Sequence, residues 1–125
     1  MVKRLLVCGG RDVIDTGWVF STLDKLWKAY GFEVIIEGDA KGADRIAGYW
    51  ARKNSLTNLK FPANWELYGR RAGPLRNEQM LIEGRPDMGA AFDGGIGTYD
   101  MLRRLKNANI PYEHYLSDPN RIDVV

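Results

Sequence analysis

The sequence predicts an α/β fold with a mostly parallel sheet, and two observations support this. Short apolar runs, Leu5–Cys8 and Met88–Phe92 among them, have the composition of strands buried on both faces of a parallel sheet. Stretches with helical periodicity follow these runs, and they are long enough for the crossover connections that parallel strands require. We therefore expect a Rossmann-like three-layer sandwich whose sheet has about five strands between two layers of helices.

The first unit combines strand Leu5–Cys8 with the helix that follows it. Apolar residues recur at helical spacing, and either Asp15 or Thr16 is suited to begin the helix. Gly31 is suited to end it in a left-handed conformation. The apolar positions are Val19, Leu23, Leu26 and Tyr30.

The second unit repeats this order with a strand over residues 32–37 and a helix from about residue 43. Four residues form the predicted inner face of that helix: Ile46, Ala47, Trp50 and Ala51. A third strand is expected at Leu59–Pro62, where Lys60 and the proline favour the edge of the sheet.

The second half begins with an irregular stretch, residues 64–80, that is rich in aromatic and arginine residues, as loops that serve a site often are. Pro74 fits the first turn of a helix that places Met80 and Leu81 inward. Strand Met88–Phe92, a helix and a last strand, Ile110–Leu116, complete the domain. We predict one domain over residues 1–116 and a peripheral tail over residues 117–125.

Composition says more about the cellular location of the protein than about the molecule that it binds. With 125 residues, 18 of them basic and 16 acidic, the net charge is +2, which argues against a protein that lives on nucleic acid. Cys8 is the single cysteine, so no internal disulfide forms, and we see neither a signal peptide nor a membrane-spanning run. These features predict a cytoplasmic protein without membrane association. His114 has no other ligand type clustered beside it, so we predict neither a metal site nor a cofactor.

Glycine-rich turns follow three of the strands, and they are the candidate functional elements. The turn after Phe92 has three glycines in four residues, Gly94, Gly95 and Gly97, followed by Thr98. Glycine lets a ligand approach the backbone, and the unpaired N–H groups at the start of the next helix attract phosphate or carboxylate. A plain tight turn is the competing interpretation. In a parallel sheet such turns meet at one edge, where one cleft could collect all three.

Five motifs resemble one known family in order and spacing. They are Gly9-Gly10-Arg11-Asp12, Gly42-Ala43-Asp44-Arg45-Ile46-Ala47, Phe61-Pro62-Ala63-Asn64-Trp65, the run from Ala72 to Met80, and the run from Gly94 to Met101. On these motifs the chain resembles the YspA-like, cpYpsA-related branch of the SLOG superfamily, whose members include the LOG enzymes and the DNA-processing protein DprA. The resemblance implies a Rossmann-like domain with a pocket for a nucleotide or a nucleotide-derived ligand.

The resemblance to LOG enzymes also implies candidate catalytic residues. Their glycine motif holds a phosphate and ends in a catalytic glutamate, and an upstream arginine assists. Here Arg76 matches the arginine, Met101 replaces the glutamate and Asp100 precedes it. Glu78 is the best remaining candidate for a general acid or base. The candidate ligand-binding residues are Gly9, Gly10, Arg11, Asp12, Gly38, Asp39, Lys41, Gly42, Asp44, Arg76, Asn77, Gly94, Gly95, Gly97 and Thr98.

Three functions remain open from the sequence. The first is binding, sensing or processing of a nucleotide or nucleotide-derived ligand, and the second is a LOG-like nucleotide N-glycosidase that uses Arg76 with Glu78 or Asp100. The third is DprA-like binding of single-stranded DNA through Trp65 and the arginines Arg70, Arg71 and Arg76. Trp65 and Tyr68 could stack on a base or pack in a loop. A homo-oligomer is expected by analogy with the superfamily.

Overall fold

The computed structural model describes residues 1–117 and confirms the predicted α/β architecture. Five parallel strands lie in the order β3-β2-β1-β4-β5. The elements are β1 Arg4–Gly9, α1 Thr16–Tyr30, β2 Val34–Glu37, α2 Ala43–Lys53, β3 Thr57–Lys60, α3 Trp65–Tyr68, a 3₁₀ turn Gly69–Arg71, α4 Ala72–Ile82, β4 Met88–Phe92, α5 Ile96–Asn107 and β5 Tyr112–Tyr115.

Helices cover both faces of the sheet, and the alternation of side chains along β1 divides the core into two layers. Leu5 and Val7 belong to the apolar cluster that includes the inner faces of α1 and α2. Leu6 and Cys8 belong to the cluster on the opposite face, with residues of α4 and α5. The sheet therefore lies between two helical layers, as the continuous apolar strands predicted.

The predicted helix ends agree with the structure because they depend on short-range chemistry. Asp15 caps α1 by accepting a hydrogen bond from the Trp18 N–H at 2.9 Å, and Gly31 ends the helix with a φ of 67°. Helix α2 begins at Ala43, and Pro74 lies in the first turn of α4. Strand β4 has the predicted bounds.

Strand β3 confirms the edge position but lies two residues earlier than predicted. Its bounds follow those of its partner, since Thr57 pairs with Val34 and Lys60 with Glu37, the last residue of β2. Strand β5, Tyr112–Tyr115, is likewise shorter than the predicted 110–116. The tail prediction for residues 118–125 lies outside the described residues.

The chain turns in opposite directions along the sheet after β1 and after β4. From β1 it continues to β2 and β3 on one side, whereas β4 lies on the other side of β1 and leads to β5. Neighbouring crossovers therefore leave in opposite directions and open a crevice at the carboxyl ends of β1 and β4. Over residues 1–117, no helix is long and apolar enough to cross a membrane.

Candidate functional site

A cleft of about 1440 Å³ lies at the point where the strand order reverses. Gly9 at the end of β1 pairs with Phe92 at the end of β4, so the turns after these two strands begin side by side. The cleft is lined by Gly9–Asp12 from the first turn and by Gly94–Thr98 from the turn before α5. The structure thus brings two of the three glycine turns to one cavity, and the third contributes Asp44.

The turn before α5 presents free backbone donors. Gly95 is the N-cap in an extended conformation, with a φ of −135°, and no side chain caps the helix. Within the described residues, the backbone N–H groups of Ile96, Gly97 and Thr98 donate to no protein acceptor. Thr98 lies inside the first turn of α5 and is only 5% exposed, so it is not the cap. This turn therefore combines a lining position in the cleft with the geometry of an anion site.

The turn after β1 is built for close approach between backbones. A Cβ at Gly9 would lie 2.6 Å from the Ala43 Cβ, so glycine is required there. The Gly10 N–H donates to the Phe92 carbonyl at 3.0 Å, which links the ends of β1 and β4. Arg11 and Asp12 are exposed and line the cleft, where both can reach a ligand.

The turn after β2 differs because its own carboxylates occupy its amides. Asp44 accepts hydrogen bonds from the N–H groups of Gly38 at 3.1 Å and Ala40 at 3.4 Å, and Glu37 accepts from Asp39. The Asp39 carboxylate in turn lies 3.2 Å from Lys60 Nζ. These amides are consequently not available to an anion.

Gly38, Asp39 and Lys41 line a smaller recess of about 290 Å³ beside the cleft. Arg11, Ala40, Trp65 and Arg76 line both spaces and form the wall between them. Gly42 lines neither; its φ is 93° and it packs against the backbone of Gly10 and Arg11. The structure therefore explains Gly42 by backbone packing, and the predicted ligand contact has no support from either space.

Glu37 is a structural carboxylate that sequence reasoning missed. It is fully buried at the end of β2, where it accepts from the Asn58 side-chain amide at 3.1 Å and lies 3.5 Å from Lys60 Nζ. These contacts join β2 to the edge strand β3. The one available signal was an acidic residue that ends an apolar run directly before a glycine.

Asp44 is a buried carboxyl group on the cleft wall, 5% exposed. Burial raises its pKa to about 7, and the charge of Glu37 adds to that effect, whereas Arg76 and the backbone donors oppose it. Burial likewise raises the pKa of the Cys8 thiol, and the Asp44 charge contributes. Cys8 therefore remains a neutral, small apolar side chain rather than a nucleophile.

Asp44→Asn should stabilise the protein at pH 8 but not at pH 4. The folded state holds the Asp44 proton up to a pKa of about 7, whereas the ordinary pKa of an aspartate is 3.8, so wild-type stability falls as pH rises through this window. Asparagine resembles the protonated acid and removes that loss, which the shift from 3.8 to about 7 places at up to about 4 kcal/mol at pH 8. Urea unfolding of both proteins at several pH values measures the difference. Asp12→Asn, at an exposed carboxylate of the same cleft, is the control; a difference independent of pH for Asp44→Asn would contradict the prediction.

Arg76 and Asn77 connect the turns rather than projecting freely into the cleft. Arg76 donates from Nη1 to the Gly38 carbonyl at 2.6 Å and from Nε to the Asn77 side-chain oxygen at 3.0 Å. The Asn77 amide then donates to the Gly97 carbonyl at 3.1 Å and to Asp100 at 3.0 Å. Asn77 is thus saturated by protein partners and holds the first turn of α5 in place.

Two of the three candidate catalytic residues, Arg76 and Asp100, line the cleft, and Glu78 does not. Asp100 lines the cleft; burial acts to raise its pKa, but hydrogen bonds from Asn77 and Arg104 outweigh it and hold the pKa below its usual value. Such a carboxylate is poorly suited to donate a proton. Glu78 has a side chain 56% exposed, lies 3.9 Å from Arg104 and does not line the cleft. Met101, at the position of the LOG glutamate, is fully buried.

No metal site is formed by the side chains of residues 1–117. In that range no group of three or more His, Cys, Asp or Glu residues has the proximity to hold an ion.

Comparison with known proteins identifies the family of this protein. The profile of the YspA, cpYpsA-related SLOG family matches residues 3–68, which include the turns after β1 and β2. This chain belongs to that SLOG family. The SLOG assignment predicted from the sequence motifs is therefore confirmed, and membership indicates a nucleotide-related function.

A curated relative matches nearly the whole chain. The SLOG chain is 35% identical to the Gene 61 protein of Mycobacterium phage D29 over 127 residues, which cover 94% of the chain and 100% of the phage protein. The name of the phage protein does not indicate an activity. No solved structure gives a significant match.

Proposed function

We propose that this SLOG domain binds a nucleotide or a nucleotide-derived ligand, with an anionic group of the ligand at the first turn of α5. The observation that carries the proposal is the set of backbone donors at Ile96, Gly97 and Thr98, which have no protein acceptor in the described residues. They lie in a cleft at the reversal of strand order, where ligands of such sheets bind. Arg11 and Arg70, which line the same cleft, would favour negative charge further.

The volume of the cleft and its mixed lining agree with a ligand of nucleotide size. Apolar groups of Trp18 and Met80 line it together with Asp12 and Asp44, whose oxygens could accept from ribose hydroxyls. Small-molecule sites commonly combine apolar walls with a few polar groups that set orientation. The proposal therefore assigns the phosphate to the turn of α5 and the sugar to the side of β1 and α2.

Isothermal titration calorimetry with AMP, ADP, ADP-ribose and GMP tests this function. We expect saturable binding of at least one of them, and mass spectrometry of small molecules that copurify with the protein gives an independent identification. Absence of both a saturable ligand and a copurified nucleotide would reject the proposal.

Hydrolysis of an N-glycosidic bond receives less support than binding. Glu78 does not line the cleft, Asp100 is paired with Asn77 and Arg104, and the position of the LOG glutamate is a buried methionine. Binding of single-stranded DNA would require a stacking and cationic surface larger than the one group of arginines near Trp65. Binding of a small ligand is thus the function that the geometry supports best.

A cytoplasmic location and a homo-oligomer form part of the same proposal. The one cysteine is buried and unpaired, as in a reducing compartment. Ile14 and Ile96 are 85% and 93% exposed on the rim of the cleft, and a second copy could cover them. Analytical ultracentrifugation with and without ligand measures the association.

A further inference from the structure

Trp65 differs from the other tryptophans of the chain in its surroundings. Trp50 is fully buried, Trp27 meets it edge-on at 5.5 Å, and Trp18 meets Phe92 edge-on at 5.2 Å. Trp65 is 47% exposed on the short helix α3 and lines both the cleft and the smaller recess. A large aromatic face is thus presented to the space that the proposed ligand would fill.

The position of the Trp65 ring is set by its neighbours. Asn64 caps α3 by accepting from the Leu67 N–H at 3.1 Å. Gly73 of α4 lies beside the six-membered edge of the indole, where a Cβ would come within 3.2 Å of Cη2. The absence of a side chain at Gly73 therefore leaves the space that the ring occupies.

Arg11 occupies one face of this ring. Its guanidinium carbon lies 5.4 Å from the ring centroid, within the range of a cation–π contact. Both partners are exposed, so water competes with the contact and it is weak. The electron-rich face of an indole attracts a planar, electron-poor ring such as a nucleobase, just as it attracts a planar cation. A nucleobase and Arg11 would therefore compete for the same face. Arg11 belongs to the turn after β1 and lines the cleft, so its guanidinium can reach an anion there.

We infer that the ligand's nucleobase stacks on the face of Trp65, and that Arg11 moves from the ring to the ligand's phosphate when the ligand binds. The inference rests on the proposed function, because it assigns the second half of the same ligand. It gives Trp65 a specificity role: the domain would select nucleotides over sugar phosphates by stacking.

The test compares AMP with ribose 5-phosphate, which lacks the base, by calorimetry. Trp65→Leu keeps an apolar side chain but removes the aromatic face, so we expect AMP to bind about tenfold more weakly and ribose 5-phosphate to bind unchanged. Trp65→Phe should retain most of the AMP affinity. Tyr68→Leu, on the same short helix with 50% exposure and no contact with the cleft, should bind both probes as wild type does.

A second arm tests the movement of Arg11 with adenosine, which has the base but no phosphate. Arg11→Gln should weaken AMP binding severalfold and leave adenosine binding unchanged or tighter, because the competing cation is gone. In wild type, AMP should change the indole fluorescence more than ribose 5-phosphate does, because ribose 5-phosphate withdraws Arg11 without stacking on the ring. Trp65→Phe should abolish this difference even if Trp65→Leu fails to fold.

The outcomes separate this inference from the proposed function. If AMP binds and neither Trp65→Leu nor Trp65→Phe alters its affinity or the fluorescence change, the base lies elsewhere and only the inference fails. An equal loss of ribose 5-phosphate affinity in Trp65→Leu also overturns it, because the tryptophan would then merely support the fold. If wild type binds none of AMP, ADP, ADP-ribose and GMP and no nucleotide copurifies with it, the proposed function and the inference fail together. If another nucleotide of that panel binds in place of AMP, that nucleotide and its nucleoside are the probes.

Discussion

Gly95→Asp should abolish ligand binding while leaving the fold at least as stable as wild type. A Cβ at Gly95 meets nothing within 4 Å, and the residue already has an extended N-cap conformation. Aspartate there would accept from the free amides of the first turn of α5 and place a negative charge beside the ligand's anion. We expect a loss in AMP affinity of roughly a hundredfold or more, from occupied donors and like-charge repulsion together.

Two further variants at the same position separate these two causes. Gly95→Ala leaves the amides open and should bind as wild type does. Gly95→Asn occupies them without charge and should fall between alanine and aspartate. Stability should follow the opposite order, since aspartate and asparagine are better N-caps than alanine by about 1 kcal/mol. Calorimetry gives the order of affinities and urea unfolding of the same samples gives the order of stabilities. Equal affinity for all three variants would place the anion elsewhere.

Gly42→Ala should lower the stability of the protein far more than the same substitution at Gly95 in another of the glycine turns. Gly42 has a φ of 93° and a ψ of −131°, a conformation that L-residues rarely adopt, and a Cβ would lie 2.8 Å from the Arg11 carbonyl carbon and overlap the Gly10 carbonyl oxygen. Backbone atoms cannot move aside as a flexible side chain can. We expect a decrease of about 3 kcal/mol or more in the free energy of unfolding.

Gly95→Ala is the matched control for that loss, because it makes the same chemical change in another turn of the cleft. Its position is open and its φ is −135°, so the free energy of unfolding should change by no more than about 0.5 kcal/mol. Chemical denaturation measures both variants. Similar values for the two would show that the packing of Gly42 against the turn after β1 does not govern stability.

Local chemistry made much of the fold predictable. The caps of α1, the bounds of β4 and the edge position of β3 depend on residues adjacent in sequence, and each agrees with the structure. The start of β3 was wrong because the strand is defined by pairing with β2, which brings Val34 beside Thr57 from a distance along the chain.

The site was less predictable because its details depend on long-range contacts. Glu78 and Asn77 are adjacent in sequence, yet successive residues point about 100° apart around a helix, and only packing decides which one lines the cleft. Asp44 resembles a ligand-binding acid in the sequence, but its hydrogen bonds to Gly38 and Ala40 become visible only when α2 is placed beside β2. The contact of Arg11 with Trp65 likewise joins residues from two distant turns.

The two ends of the described chain lie at opposite ends of the parallel strands, which matters for any experiment that adds a fusion partner. Ser117 donates its backbone N–H to the Asp93 carboxylate at 2.8 Å and itself lines the cleft, whereas Lys3 donates to Asp87 just before the amino end of β4. A carboxy-terminal affinity tag or fluorescent protein would follow a chain that passes the ligand entrance at Ser117. Attachment before Met1 keeps that entrance clear, so amino-terminal fusions are the appropriate reagents for the titrations above.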